Sequence, residues 1–166
     1  PLGPLTVAVD GLLRRTSKRN FVIPHLLLNA AERKITADTI RAAPPGDDSA
    51  FAHRHLYRKV RLSVTMGQVQ ARGIDLPALL RRGAWRTRAL SVGRLLVDIM
   101  EDKTAPRNPA PKALRRFPQQ VIRDMATEIQ VDTALASGLV TYRERDHDAT
   151  NAGTLTFGNS KLRGYN

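Results

Sequence analysis

The feature that most constrains the fold is a stretch of two-residue alternation at residues 58–72, RKVRLSVTMGQVQAR. Before Gly67 every second side chain is apolar, and the positions between them are cationic or carry hydroxyl groups. This is the period of a pleated strand with one buried face. After Gly67 the apolar positions move by one residue, to Val69 and Ala71, which predicts a β-bulge or a turn of the strand pair there. We therefore expect a sheet strand whose cationic outer face either lies on a phosphate backbone or faces solvent.

Apolar residues recur at helical spacing in three other parts of the chain. Residues 24–42 begin with a proline, which suits a first helical turn, and continue with apolar positions three and four residues apart. Residues 85–102 carry the strongest such pattern, which predicts an amphipathic helix that covers the sheet. Residues 118–145 carry two apolar stripes separated by Asp132, a capping residue type, and predict a helical hairpin.

The composition changes along the chain and divides it into five parts. The 166 residues are enough for one domain of ordinary size. The parts are a basic N-terminal arm at 1–23, an α+β core at 24–102, a proline-rich linker at 103–117, the helical hairpin at 118–145 and a polar C-terminal tail at 146–166. The predicted fold class is therefore α+β, with a small sheet packed by an amphipathic helix, a C-terminal helical hairpin and extended basic termini.

The net charge points to an anionic partner. Lysine and arginine together number 27 and the acidic residues 15, which gives a net charge of +12. A folded chain of this charge repels itself unless an anion neutralises it. Arginine outnumbers lysine, and a planar guanidinium suits bidentate phosphate contact better than an ammonium does. We expect nucleic acid as the partner, with RNA favoured over DNA, and no membrane, because no apolar run approaches bilayer thickness.

The cations are dispersed along the chain, as expected for a protein that is surrounded by nucleic acid. Those near the N-terminus suit an arm that follows phosphates, or a solvated loop, although the Asp10-Gly11 pair there also favours a hairpin. The candidate nucleic-acid-binding residues are Arg14, Arg15, Lys18, Arg19, Arg54, Arg58, Lys59, Arg61, Arg81, Arg82, Arg86, Arg88, Arg115, Arg116, Lys161 and Arg163.

One segment resembles a helix-turn-helix motif. Residues 125–143, MATEIQVDTALASGLVTYR, place apolar side chains where that motif buries them. Two features argue against it. The turn position that usually carries glycine is Gln130, and the second helix offers no early arginine or lysine to reach a base edge. An ordinary packed helical hairpin fits the same pattern.

The sequence contains no recognisable catalytic constellation. It has no cysteine, no G-x-S-x-G, no glycine-rich phosphate loop followed by lysine and no H-E-x-x-H. His53 and His55 form a metal site only if the fold brings distant ligands such as His25 to them. Asp47 and Asp48 are adjacent carboxylates in a loop, which usually serve as turn residues. We therefore expect a protein that is not an enzyme and needs neither cofactor nor metal.

These properties together favour a structural role. We expect a non-enzymatic subunit of a large nucleoprotein assembly, of the ribosomal or organellar-ribosomal type, that binds RNA backbone through dispersed arginines and contacts other protein subunits. Two alternatives stay open: a virion structural component, such as a coat or head-completion protein, and a helix-turn-helix DNA-binding regulator. The favoured locations are an organelle such as the mitochondrion, or a virion, rather than the free cytoplasm.

Overall fold

The computed structural model describes residues 5–109, 128–146 and 153–165, and these residues form one seven-stranded sheet with two short helices. The strands are β1 (Thr6–Arg15), β2 (Asn20–Asn29), β3 (Lys34–Ala43), β4 (Val60–Arg72), β5 (Trp85–Asp102), β6 (Ile129–Arg145) and β7 (Gly153–Tyr165). The helices are α1 (Asp48–His53), which lies between β3 and β4 in the chain, and α2 (Leu76–Arg82), which lies between β4 and β5.

The strands lie side by side in the order of the sequence. β1 to β5 form an antiparallel meander, β6 pairs with β5 in parallel, and β7 pairs with β6 antiparallel. We call the two ends of the sheet the α1 end, where β5 and β6 finish, and the α2 end, where they begin. Because β5 and β6 are parallel, the chain between them must return along the length of the sheet.

This architecture shows that the predicted α+β class is wrong. Residues 85–102 and 129–145 form β5 and β6 rather than an amphipathic helix and a helical hairpin, and residues 24–42 lie mainly in β2 and β3. The predicted basic termini are also strands, since β1 pairs with β2 and β7 pairs with β6. The part of the predicted hairpin at 118–127 lies outside the described residues.

The error has a physical cause in β5. Leu95, Leu96 and Val97 are consecutive apolar residues, so this strand carries apolar side chains on both faces. A strand of that kind loses its two-residue alternation, and periodicity then cannot distinguish it from a buried helix. The parallel pairing with β6 has the same effect, because parallel strands have near-continuous apolar runs.

The strand predicted at 58–72 is confirmed as β4, which spans Val60–Arg72. The sequence predicts a bulge at Gly67, and the structure places the irregular backbone at the next residue, where Gln68 has a φ of 53°. The register does not shift, because β3 and β5 both pair with Gly67 and with Val69 but skip Gln68. Met66 packs against the apolar cluster that contains Val69, so the apolar side continues past the irregular point.

Irregular backbone recurs at this level in other strands. Gly11 in β1 has a φ of 71° and is skipped by the pairing with β2, and the β5–β6 register shifts between Val92 and Leu95. Gly138 lies at the corresponding point of β6, where a Cβ atom would come within 1.9 Å of the Leu95 carbonyl oxygen. Only glycine allows so close an approach of two backbones. We call this line across the sheet the crease; it separates an α1 half from an α2 half.

Most of the apolar core lies in the α2 half, and it is small; Ala43 and Met100 are buried in the α1 half. It comprises two clusters of buried side chains, Ala30, Ala71, Ile74 and Leu76 in one and Ala37, Val69 and Val92 in the other. α2 closes the first cluster. Asp75 caps the N-terminus of this helix by accepting a hydrogen bond from the Ala78 N–H (3.0 Å), and Gly83 ends the helix with a φ of 64°. Among the described residues, Ile74 is the one large side chain that is fully buried, so the sheet is thinly covered.

Candidate nucleic-acid interface

A cluster of ion pairs fixes α1 on the sheet. Asp47 caps the helix by accepting a hydrogen bond from the Ala50 N–H (2.7 Å). Asp48, in the first turn, lies between Arg61 of β4 (3.1 Å) and Arg143 of β6 (2.6 Å). Asp98 of β5 accepts two further hydrogen bonds from Arg143, at 2.9 and 2.6 Å. The hydrogen bonds that Arg143 donates to Asp98, and then those to Asp48, raise the pKa of Arg143, so its guanidinium stays charged.

Arg61 is one of the predicted phosphate contacts, but the structure places it under α1. Its side chain is 10% exposed, and it donates to the Gly46 carbonyl (2.9 Å) and the Ser63 hydroxyl (3.1 Å) besides the pair with Asp48. A side chain held in this way cannot reach an external phosphate. Arg61 therefore positions α1 and no longer belongs to the candidate interface.

A cleft opens beside α1, between the β1–β2 turn and the Pro44–Pro45 segment. Its walls include the cations Lys18, Arg19 and Arg54. No carboxylate lines this cleft, and the side chains of these three cations form no ion pair among the described residues. We call it the basic cleft; its lining is Ser17, Lys18, Arg19, Pro44, Pro45, Phe51, Arg54, His55, Val60 and Leu62.

The β1–β2 turn holds two of these cations in place. The Thr16 hydroxyl accepts hydrogen bonds from the backbone N–H groups of Lys18 (3.3 Å) and Arg19 (2.8 Å), and it donates to the Arg19 carbonyl (2.7 Å). Such a side-chain-to-backbone turn fixes the direction of the residues that it contains. Lys18 and Arg19 therefore project from a defined loop rather than from a free arm.

An aromatic pair forms part of the cleft wall. The rings of Phe51 and His55 lie 4.5 Å apart between centroids with an interplanar angle of 47°. His55 Nδ1 lies 2.8 Å from the Phe51 carbonyl oxygen, so Nδ1 carries the proton and donates to it. His53 is bound in the same manner to the Ser49 carbonyl, at 2.7 Å. Both imidazoles are thus held by the α1 turn, and in the described part of the chain no group of three or more potential metal ligands forms.

The other predicted contacts near the α1 end differ in their availability. Arg14 and Arg15 end β1 and are exposed, directly before the turn that carries Lys18. Lys59 is exposed on the far side of α1. Arg58 is half-buried and donates to the carbonyls of Lys103 (2.7 Å) and Ala105 (3.4 Å), so it holds the chain that follows β5.

The remaining predicted contacts lie far from the basic cleft. At the α2 end, Arg81, Arg82 and Arg88 are exposed, whereas Arg86 pairs with Glu128 at 2.6 Å. Lys161 and Arg163 are exposed on β7, the last strand of the sheet. Arg115 and Arg116 lie outside the described residues. The predicted cations thus form separate groups, and one of these groups, Lys18, Arg19 and Arg54, lines the basic cleft.

Sequence reasoning missed two features of this surface. Arg94 lines a shallow cleft along the crease together with Lys161 and the glycines of three strands, but it lay within the predicted helix. The ion cluster at α1 was missed because its members are distant in the chain. A usable indication was present in Asp98 and Arg143, since a charge inside an apolar run is costly unless a partner is nearby.

The basic cleft brings together three cations from distant parts of the chain. Lys18 and Arg19 precede β2, whereas Arg54 follows α1, and the meander brings them to the same end of the sheet. Neither described helix is long and apolar enough to cross a membrane. No protein-family model, curated protein or solved structure matches the chain, so the geometry of the cleft and the sheet carries the functional argument.

Proposed function

We propose that this protein is a non-enzymatic structural subunit of a nucleoprotein assembly, of the ribosomal or organellar-ribosomal type, and that it binds RNA backbone chiefly at the basic cleft. The observation that carries the proposal is the convergence of Lys18, Arg19 and Arg54 in a cleft without a carboxylate. Cations placed together without an acidic partner repel one another, and an anion that spans them relieves this repulsion.

The net charge supports a polyanion rather than a small anion. At +12 the chain gains from releasing the counterions that surround nucleic acid. The exposed cations outside the cleft add contacts that do not depend on sequence. Binding of this kind weakens steeply as the salt concentration rises.

The cleft wall favours unpaired RNA over duplex DNA. Phe51 and His55 offer aromatic faces on which an unpaired base stacks, which is the usual mode for single-stranded RNA loops and ends. The helix-turn-helix hypothesis needs two helices within residues 125–143, and residues 129–145 form β6 instead. We therefore withdraw that alternative.

A matched pair of variants tests the cleft. The triple variant Lys18→Ala, Arg19→Ala, Arg54→Ala should lower the affinity for an unpaired RNA oligonucleotide about 10-fold or more, measured by fluorescence anisotropy. It should also reduce the slope of log K against log salt by about 2, since each phosphate contact to a single strand contributes about 0.7. The control variant Arg81→Ala, Arg82→Ala, Arg88→Ala removes the same charge at the α2 end and should lower the affinity less than about 3-fold.

The outcome separates the cleft from a diffuse surface. Equal losses of RNA affinity in the two triple variants would refute the cleft as the main binding site and would indicate binding spread over all exposed cations. Equal affinity for unpaired RNA and for duplex DNA of the same length would remove the argument for base stacking. A wild-type protein that binds neither would refute the proposed function itself.

A virion structural component is the second candidate, and the exposed apolar surface of the sheet favours it. Phe157 and Leu155 on β7 are 58% and 61% exposed, and Val60 on β4 is 48% exposed. Subunits that pack into a shell bury such surface against their neighbours. Assembly into closed particles without any nucleic acid would favour this candidate over the ribosomal type.

A further inference from the structure

One side of the α2 half carries neither of the described helices. α2 packs against Ala71 through Leu76, on the side that holds the buried clusters. Because side chains alternate along β4, Gln70 and Arg72 point to the opposite side of the sheet. α1 is also on that opposite side, but it lies in the α1 half, over Arg61. The opposite side of the α2 half is therefore open in the described part of the chain.

The open side is a broad polar surface. Directly paired residues on neighbouring strands lie on the same side of a sheet, so the pairing of Gln70 and Arg72 identifies their neighbours. The surface measures about 19 Å across β3 to β7 and about 17 Å along the strands. We call it the polar platform; its members are Lys34, Arg72, Ala89 and Thr133 in one row, Thr36, Gln70, Ser91, Leu135 and Arg163 in the next, and Thr39, Gly67, Arg94, Ser137 and Lys161 at the crease.

Three cations of the polar platform have no partner among the described residues. Arg94, Lys161 and Arg163 are exposed, and their side chains form neither an ion pair nor a hydrogen bond there. Arg94 and Lys161 line the shallow cleft along the crease together with Ser137, and no carboxylate lines that cleft. Cations that converge without an acidic partner repel one another until an anion binds them.

The other two cations lie at the α2 end of the platform. Arg72 Nε donates to Gln70 Oε1 (2.9 Å), which fixes the guanidinium beside that amide. Lys34 pairs at 3.6 Å with Glu32, which precedes β3 and lies outside the rows. The one acidic residue of β3, Asp38, is skipped by the pairing at the crease. The rows of the platform themselves therefore contain no carboxylate.

The groups between the cations suit the backbone of double-stranded RNA. Hydroxyl and amide side chains such as Gln70, Ser91 and Ser137 can bind phosphate oxygens and ribose 2′-hydroxyls. No aromatic ring lies on the platform among the side chains that the structure describes, so unpaired bases have no ring to stack on. A broad sheet face cannot enter the major groove of B-DNA, which admits a helix or a two-stranded ribbon. It can lie on the wide, shallow minor groove of A-form RNA, where the 2′-hydroxyls are displayed.

We propose that the polar platform binds the backbone of double-stranded RNA, so that one chain holds a paired RNA segment there and an unpaired segment at the basic cleft. This inference rests on the proposed function and adds a second site with a different RNA structure as its ligand. The basic cleft includes Val60 and Leu62, which point to the opposite side of the sheet from Arg61. The two sites are therefore separate surfaces that two RNA segments can occupy together.

Fluorescence anisotropy with a short blunt RNA duplex and with an unpaired RNA oligonucleotide tests the platform. The triple variant Arg72→Ala, Arg94→Ala, Arg163→Ala should lower the affinity for the duplex about 10-fold or more and the affinity for the unpaired RNA less than about 3-fold. The variant Lys18→Ala, Arg19→Ala, Arg54→Ala removes the same charge at the basic cleft and should show the reverse pattern. All three platform arginines are exposed, so the melting temperature of the variant should stay that of the wild type.

Two further measurements separate the sites and the ligands. Saturating unlabelled unpaired RNA should weaken binding of the labelled duplex no more than about 3-fold, and a DNA duplex of the same sequence should bind about 10-fold more weakly than the RNA duplex, because it lacks 2′-hydroxyls. Equal losses on both RNAs in the platform variant, full displacement of the duplex by unpaired RNA, or equal affinity for the DNA duplex would each overturn the platform. A wild-type chain that binds unpaired RNA but no duplex would overturn the platform and leave the proposed function intact, whereas a chain that binds neither would overturn both.

Discussion

The two faces of the α1 half differ in an unusual way: polar side chains are buried on one face, and apolar side chains are exposed on the other. On one face Arg61 and Ser63 are buried under α1; Arg61 binds Asp48 and the Gly46 carbonyl and donates to the Ser63 hydroxyl. On the other face, the directly paired side chains of Val64, Val97, Val140 and Phe157 are apolar, and α1 lies on the opposite side. Soluble monomers normally bury their apolar face and leave charges in water. Polar groups are therefore satisfied within the chain on the covered face, whereas large apolar side chains such as Phe157 stay exposed on the other.

This difference has an energetic consequence. A buried ion pair adds little net stability, because desolvation offsets most of the attraction between its charges. Apolar burial is the main stabilising contribution in folding, and here large apolar side chains such as Phe157 stay exposed. The separate chain should therefore be marginally stable, and assembly should stabilise it by mass action.

The largest expected effect comes from breaking the covered face. Arg61→Ala removes a cation that is 10% exposed, together with its hydrogen bonds to the Ser63 hydroxyl and the Gly46 carbonyl, while Arg143 still pairs with Asp48. We expect the free energy of unfolding to fall by about 2 to 3 kcal/mol, measured by urea denaturation, because the ion pair with Asp48 is lost and two buried acceptors, at Ser63 and Gly46, lose their donor. The control Lys59→Ala alters an exposed neighbour and should change the free energy of unfolding by less than about 0.5 kcal/mol. A loss at Arg61 no larger than the control would mean that the cluster does not fix α1.

The accuracy of the fold prediction depended on whether a strand has one apolar face. β4 was identified because its alternation is preserved up to Gly67. For β5 and β6 the sequence pattern wrongly predicts helices, since apolar side chains on both faces of a strand erase the two-residue period. The sequence predicts irregular backbone at Gly67 but not the whole crease, because a local sequence pattern does not show how one glycine aligns with glycines of neighbouring strands.

The candidate site was predicted by residue type but not by position. Lys18, Arg19 and Arg54 were all proposed from charge, yet their convergence depends on the meander, which local patterns do not specify. Arg61 was proposed on the same grounds and lies under α1, because its environment is set by Asp48 of that helix rather than by its neighbours in the chain. Charge predicts which residues bind an anion only when their exposure is known.

A second pair of variants compares the two faces directly, with a smaller effect. Ser63→Ala on the covered face removes the hydroxyl that accepts a hydrogen bond from Arg61. This substitution should lower the free energy of unfolding by about 1 kcal/mol. Phe157→Ser on the opposite face removes a large apolar ring that is 58% exposed, and it should lower the free energy of unfolding by less than about 0.5 kcal/mol. Both are measured by thermal unfolding at concentrations where the chain is monomeric. A larger loss of unfolding free energy for Phe157→Ser than for Ser63→Ala would contradict this comparison of the two faces.

The smallest expected effect concerns the strand pair β1–β2, which the α1 cluster does not reach. His25 and Asp10 lie opposite each other there, with 2.5 Å between Nδ1 and Oδ1. This hydrogen bond from His25 to Asp10 raises the pKa of His25, although both side chains are exposed. A raised folded pKa means that the stabilisation is fully present below the unfolded value of about 6.5 and is lost as the pH rises through the folded value.

The opposite pH dependence of stability is expected between β5 and β6, at Asp102. Burial raises the pKa of Asp102, but hydrogen bonds from Thr104 and the nearby Arg145 outweigh it, so its pKa is lowered overall. The stabilisation from Asp102 is therefore present above its unfolded pKa and is lost as the pH falls through the folded value. Amide exchange should show β1 protected best at mildly acidic pH, whereas the α1 end of β5 loses protection under acid. Asp10→Asn should abolish the first trend and leave the second, and a β1 protection that is independent of pH would refute the role of His25.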